Sequence, residues 1–373
     1  MRKENFFYKI TKQEFQELLG KSENRNGKAM VKLASAYLYG DFWNNKDENE
    51  GKERAEKAKY WAKMAKKLLE NDIRNNVKDS EAMLAFSRLH EVELVGLWNK
   101  RYYEKTSFYW CEKAAKLGNA EAMFVFAEYY NEFPLSRNPT IQKERIYWLK
   151  KSAQKGNVDA IFEMGEYYYY GNKKTSISWY EKAAEAGDIE AIVKLGKIYW
   201  DFLCDEKKNK KENFEKAIYW YEKALEAGKQ ECMRLLGSVY EAVGDKENMF
   251  YWYEEAMKYE DSSQNWKGWC KYSDESTTKK LALLYWEGNG FLEQDYEKAF
   301  FYFKKIADRQ ISARAQGEKF DYFRHEKPSY FYLYEMYRDG KGVEKNEEEA
   351  LKYLKEAALA GYDKAVEIVC GML

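Results

Sequence analysis

The chain has 373 residues, with 63 basic residues cancelling 63 acidic ones and only two histidines, three prolines and 22 glycines. Scarce proline removes proline-rich linkers and most β-turn chemistry. A 17% share of aromatic residues excludes a disordered chain, because that much ring surface offsets the entropy of ordering, and the balanced charge argues against nucleic acid as a partner.

In chain order, the first twenty residues carry no apolar core of a secretory signal, and no later stretch reaches the roughly 18 apolar residues of a membrane span, so a cytoplasmic location is expected. Thr11-x-x-Glu14 forms a capping box that opens a short helix through Leu19. From residue 29 a pattern recurs: a small residue, a bulky apolar residue four positions on, usually a small residue at five, and tyrosine at eight. The eight copies are Ala29/Leu33/Ala34/Tyr37, Ala82/Phe86/Ser87/His90, Ala122/Phe126/Ala127/Tyr130, Ala160/Met164/Gly165/Tyr168, Ala191/Leu195/Gly196/Tyr199, Cys232/Leu236/Gly237/Tyr240, Thr277/Leu281/Ala282/Tyr285 and Ser329/Leu333/Tyr334/Tyr337. Offsets 0, 4, 5 and 8 share one face of a helix, so each copy predicts a buried helical stripe, helix A.

After each copy comes an aromatic anchor followed by a run rich in Lys, Glu and Ala: Trp61, Trp110, Trp148, Trp179, Trp220, Trp252, Tyr302 and Tyr353. These segments predict a second helix, helix B. From anchor to the next small residue is 12 positions at five junctions, through turns such as GNAEA and GDIEA, where glycine ends helix B in the left-handed conformation and Asn or Asp starts helix A. From the helix A tyrosine to the anchor the distance varies between 11 and 24, which puts the variable loops on one edge. Alternating A and B helices that cannot bury their stripes alone predict an all-α superhelical solenoid of about eight helix-turn-helix repeats. A cap over 1–22, repeats over 23–361, insertions near 71–79, 260–275 and 310–327, and a terminal half-repeat over 362–373 complete the expected organisation.

The residues AIVKLGKIY at 191–199, EKAIYWYEKALEAG at 215–228 and MYRDGKGVEKNEEEALKYLKEAALAG at 336–361 resemble the Sel-1-like repeat family, a relative of tetratricopeptide repeats. The resemblance covers roughly residues 23–373, although only the eighth copy keeps the family's G-x-G-V loop (Gly340, Gly342, Val343). It implies a rigid scaffold whose helix A lines a concave face. The regularly spaced cysteines of secreted members are absent, and the composition is compatible with a bacterial protein.

Catalytic chemistry is poorly supplied. Two histidines 235 positions apart, His90 in a packing slot and His325 in an insertion, make neither a metal cluster nor a His-based triad. Five cysteines never form CxxC, and Cys111, Cys232 and Cys370 fall in small or core slots. No cofactor and no enzymatic activity are expected. Surface remains: helix A offsets 2, 3 and 6 point away from the stripe, toward the concavity. They hold Phe124, Phe162 and Phe331 with Tyr332, and the charges Arg88, Glu128, Glu166 and Lys197. Exposed rings beside charges are the composition of a binding hot spot, whereas packing of the same phenylalanines against a neighbouring helix A is the alternative. A second aromatic candidate, which either binds or plugs a gap, is the insertion with Trp266 and Trp269.

The expected role is a non-catalytic solenoid that binds a protein or peptide, as adaptor, scaffold or regulator. The resemblance also implies an alternative, an immunity protein neutralising one cognate toxin. A hydrolase site within an inserted segment is the third reading.

Overall fold

The computed structural model describes residues 11–39, 48–93, 100–132, 139–205, 210–262, 273–288, 290–315 and 328–372. Those residues form 18 α-helices and no strand. α1 (Lys12–Glu23) precedes the repeats. Helix A of successive copies is α2 (Gly27–Tyr39), α4 (Ser80–Glu93), α6 (Ala120–Glu132), α8 (Val158–Tyr169), α10 (Ile189–Asp205), α12 (Cys232–Val243), α14 (Ser273–Glu287) and α16 (Ser329–Asp339), with α18 (Asp363–Met372) following the eighth pair. Helix B is α3 (Glu48–Asn75), α5 (Lys100–Lys116), α7 (Pro139–Gln154), α9 (Lys173–Glu185), α11 (Lys210–Glu226), α13 (Lys246–Ser262), α15 (Tyr296–Ala315) and α17 (Glu347–Leu359). The expected insertions are partly extra helical turns at the ends of α3, α13 and α15.

The chain divides into two compact units, 1–191 and 192–373. Within the first, α2 packs on α3, α4 on α5, α6 on α7 and α8 on α9; within the second, α12 packs on α13, α14 on α15 and α16 on α17.

Local chemistry sets the helix ends. Thr11 and Glu14 exchange the two bonds of a capping box: Thr11 N–H donates to Glu14 Oε2 at 2.6 Å and Glu14 N–H to Thr11 Oγ1 at 3.2 Å. α1 then runs four residues beyond Leu19. At the tight junctions Gly118, Gly156, Gly187, Gly228 and Gly361 take positive φ between 81° and 94°, a region that penalises any Cβ. The next residue caps the following helix A: Asn119, Asn157 and Asp188 accept from the N–H of Ala122, Ala160 and Ala191 at 2.8–2.9 Å. Lys229 stands at the corresponding place before α12, and Glu231, the N-cap of α12, makes no side-chain capping bond.

Helix A offsets 0, 4 and 5 are buried in all eight copies. On helix B one core position lies one residue past the anchor. Ala62, Cys111, Leu149, Tyr180, Tyr221, Tyr253, Phe303 and Leu354 are all buried there, while five of the anchors, Trp61, Trp110, Trp179, Trp220 and Trp252, are only half-buried. In three pairs a tyrosine at this position lies flat against the offset-5 glycine. A Cβ on Gly165 would stand 2.6 Å from the Tyr180 ring, on Gly196 2.6 Å from Tyr221, and on Gly237 2.4 Å from Tyr253. Such distances leave no room for alanine, so glycine here is a packing requirement.

Candidate functional site

The helix A face of the first unit carries a groove. Offsets −1, 2, 3 and 6 of α2 and α4 meet the start of α6 around a cavity of about 210 Å³ lined by Lys28, Val31, Lys32, Glu81, Leu84 and Arg88, among others. Val31 and Leu84 are 1% and 4% exposed and form an apolar floor, while Lys32 is exposed at the rim. Ion pairs brace the walls. Lys28 Nζ lies 3.3 Å from Asp79 Oδ1 and 3.0 Å from Glu81 Oε2, and Arg88 Nη2 donates to Glu121 Oε1 at 2.7 Å. Lys32 makes no ion pair among the described residues, so it is the groove charge most available to a ligand.

A second cluster joins α6, α7 and α8. Arg145 is 8% exposed and reaches Glu128 Oε1 at 3.0 Å and Glu163 Oε2 at 2.8 Å through one nitrogen, Nη2. Burial, and then repulsion from Glu128, hold the Glu163 carboxyl above its ordinary range, with Arg145 pulling the other way. Nearby the Tyr180 hydroxyl donates to Glu166 Oε1 at 2.6 Å. Burial first, and this carboxylate second, push the Tyr180 phenol far above its usual range. Arg145 and Tyr180 come from helix B and already neutralise or satisfy the acids of helix A.

The expected binding rings are corrected by the structure. Phe124, Phe162 and Phe331 are 1%, 3% and 1% exposed, so they belong to the core. A helix A inside the array touches more than its own helix B; α4 packs on α2, α3 and α5, and its buried arc therefore extends past the stripe to offset 2. Phe162 stands edge-on to Tyr180 at 5.4 Å, and Phe331 edge-on to Tyr362 at 4.9 Å. Tyr332 is half-buried, stacked on Phe303 with centroids 4.4 Å apart, and burial raises its phenol to about 12. Of the charges, Arg88 lines the groove, Glu128 is bound by Arg145, Glu166 is bound by Tyr180, and Lys197 is exposed on α10. Trp266 and Trp269 lie outside the described residues.

Arg145 and the groove residues Lys28, Lys32, Glu81 and Glu121 went unread in the sequence. A signal was there for the acids: offset −1 holds Glu81, Glu121, Asp159, Glu190 and Glu231 in five consecutive copies. Nothing in the periodicity of helix B marks Arg145 as reaching across to helix A.

Among the described residues no group of three or more His, Cys, Asp or Glu side chains is placed to hold a metal ion, and no helix is long and apolar enough to cross a membrane. Cys111 is buried and donates to the Ala122 carbonyl at 3.4 Å, and burial lifts the Cys232 thiol to about 12, which makes both packing residues. His325 lies outside the described residues, and His90 sits on α4.

The Sel1 repeat family model matches residues 27–68, 103–119, 146–157, 158–188, 189–229, 279–310 and 330–362. Among solved structures, the chain is similar to a Sel1 repeat protein from Oxalobacter formigenes, at 18% identity over 96% of this chain and 90% of that one, with a TM-score of 0.48. It is also similar to c5321, a protective antigen of uropathogenic Escherichia coli with the same type of repeat, at 18% identity over 92% and 79% of the two chains and a TM-score of 0.42. A third likeness is the human IFIT1 dimer with m7Gppp-AAAA, at 12% identity over 95% and 83% and a TM-score of 0.37. No curated protein sequence matches the chain.

Proposed function

The chain belongs to the Sel1 repeat family, and we propose that it is a non-catalytic binding scaffold whose helix A groove in the first unit holds a peptide segment of a protein partner. The observation that carries this reading is the groove itself: an apolar floor of Val31 and Leu84 between braced charged walls, with Lys32 exposed at the rim. Such a site binds without reorganising, because Lys28 and Arg88 are already held by Glu81 and Glu121, and a pre-formed site lowers the ordering cost of association. The favoured ligand is a short extended or helical segment with an apolar side chain for the floor and a carboxylate for Lys32.

The test is partner capture with the wild-type chain and with Lys32→Glu/Glu81→Lys, both at exposed positions. Recovered proteins are quantified by mass spectrometry, with helical circular dichroism as the control of folding. Loss of one specific partner by about tenfold or more, the equivalent of about 1.4 kcal/mol, supports the groove. Full recovery of every partner by a folded variant removes the groove from the proposal.

A further inference from the structure

Helix B carries a second ordered surface, on the side away from helix A. The residue before each anchor is an exposed ring in six of the eight copies: Tyr60, Tyr109, Tyr147, Tyr219, Tyr251 and Phe301, each 47–58% exposed. In these six the ring stands edge-on to its anchor, with centroids 5.1–5.3 Å apart, so each ring packs on its own helix. Lysines lie over several of the faces: Lys113 is 4.6 Å from the Tyr109 centroid, Lys151 4.7 Å from Tyr147 and Lys223 4.7 Å from Tyr219. Half-exposed, ordered tyrosines are the composition of interface cores rather than of idle surface.

The charges flanking these rings separate by unit. In the first unit the outward positions around Tyr60, Tyr109 and Tyr147 carry Lys63, Lys67, Lys113, Lys143, Lys150 and Lys151, while the acids among them, Glu56 and Glu112, are paired to Lys59 and Lys116. In the second unit the same positions around Tyr219 and Tyr251 carry Glu215, Glu222, Glu226, Glu247 and Glu255, with Lys223 over the Tyr219 ring and Lys258 paired to Glu254 and Glu255. Of those six lysines and five glutamates all but Glu255 are exposed, and apart from Glu255, which meets Lys258 at 2.9 Å, none makes an ion pair among the described residues. The acidic strip ends at α13, because α15 places Lys304 and Lys305 around Phe301. A solvated helix face ordinarily mixes the two signs. Here the charges at these positions that make no ion pair among the described residues are lysines on one face and, Lys223 apart, glutamates on the other, both beside tyrosines.

We propose that these faces pair between two copies of the chain, the α3/α5/α7 face of one against the α11/α13 face of the other. A second copy is the occupant that the charge pattern selects, since it brings the opposite charge beside the same kind of exposed ring on the same kind of helix. Lysines 113 and 151 exchange water and the ring face for the partner's glutamates, and the tyrosine edges fill the space between them. This surface is separate from the groove of the proposed function, so either reading stands or falls without the other.

Sedimentation and light scattering on the full chain test the pairing. At low salt the mass is expected at twice 44.5 kDa or more, falling toward 44.5 kDa near about 1 M salt, where the screening length drops to about 3 Å. Lys113→Glu/Lys151→Glu and Glu222→Lys/Glu226→Lys are each expected to be monomeric, and mixing the two variants in equal amounts is expected to restore the larger mass, because each supplies the charge the other now needs. Lys113→Gln/Lys151→Gln, with circular dichroism, separates weakened association from misfolding. A wild-type mass of 44.5 kDa at all concentrations, an undiminished mass in both charge reversals, or a mixture that stays monomeric overturns the proposal.

Discussion

Two groups of helix pairs bury helix B under helix A by different divisions of side-chain volume. In α8/α9, α10/α11 and α12/α13 helix A gives up its side chain at offset 5, and a tyrosine of helix B fills the space. In α2/α3, α4/α5 and α6/α7 helix A keeps Ala34, Ser87 or Ala127, and helix B offers the smaller Ala62, Cys111 or Leu149. The partition also decides how polar groups are satisfied. Tyr180 and Tyr253 carry hydroxyls past the glycine to Glu166 and Glu241 at 2.6 and 2.9 Å. Lacking those hydroxyls, the earlier pairs use Ser87 and Ser107, each donating to the other's carbonyl at 2.8 and 3.0 Å, and arginines 88 and 145. One backbone plan thus tolerates either partition, provided volume and hydrogen bonds change together.

Truncating the large partner breaks the comparison most. Tyr221→Ala empties a site with 0% exposure and is expected to lose about 3–5 kcal/mol, while Cys111→Ala at the matching position loses about 1 kcal/mol. Equal losses in chemical denaturation would mean that the two groups do not differ in what the position carries. Phe124→Ala belongs with the first of these: its ring is core, so it reports on folding rather than on binding.

Filling the glycine is next. Gly237→Ala places a methyl 2.4 Å from the Tyr253 ring and is expected to cost about 1–3 kcal/mol in spite of alanine's better helix propensity. The double variant Gly237→Ala/Tyr253→Leu approaches the Ala127 and Leu149 pairing of α6/α7, so it should lose less than the sum of the single changes. Strict additivity in that cycle would show that the two positions are not coupled. A smaller effect, about 1 kcal/mol, is expected for Asn157→Ala, whose side chain caps Ala160 at 2.8 Å, and almost none for Lys229→Ala, the residue that follows the turn glycine before α12.

The repeat was legible because offsets 0, 4 and 5 are buried in every copy, and burial with a 3.6-residue period leaves its mark on each copy separately. The tight turns were legible for the same reason: Gly118 and Asn119 each do one local job that the residue type reveals. What escaped was tertiary. Phe124 and Phe162 sit at offset 2, whose exposure depends on how many helices surround helix A, and a single-helix projection does not contain that number. Tyr180 and Tyr221 carry no mark of their own beside the aromatic anchors, since the size of one side chain acquires meaning only with the glycine it covers. Arg145 was invisible because its two carboxylates come from helices before and after it.

The finest test of the same division concerns Glu163, an acid held by arginine on the helix that also bears the tyrosine-held Glu166. Its folded-state pKa lies above the ordinary value of 4.5, with burial as the first cause and Glu128 as the second. Between 4.5 and the folded value the native chain therefore binds more protons than the unfolded chain, so stability falls as pH rises through that window. The contribution is fully present below 4.5, is lost as Glu163 ionises, and is flat at higher pH. Glu163→Gln keeps the shape and cannot titrate, so the stability of the wild type minus that of the variant should decline across the window in denaturation series at successive pH values. A difference that rises with pH would show that the Arg145 pairing at 2.8 Å outweighs burial, and that arginine satisfies the acids of this region more completely than the geometry of a single shared nitrogen implies.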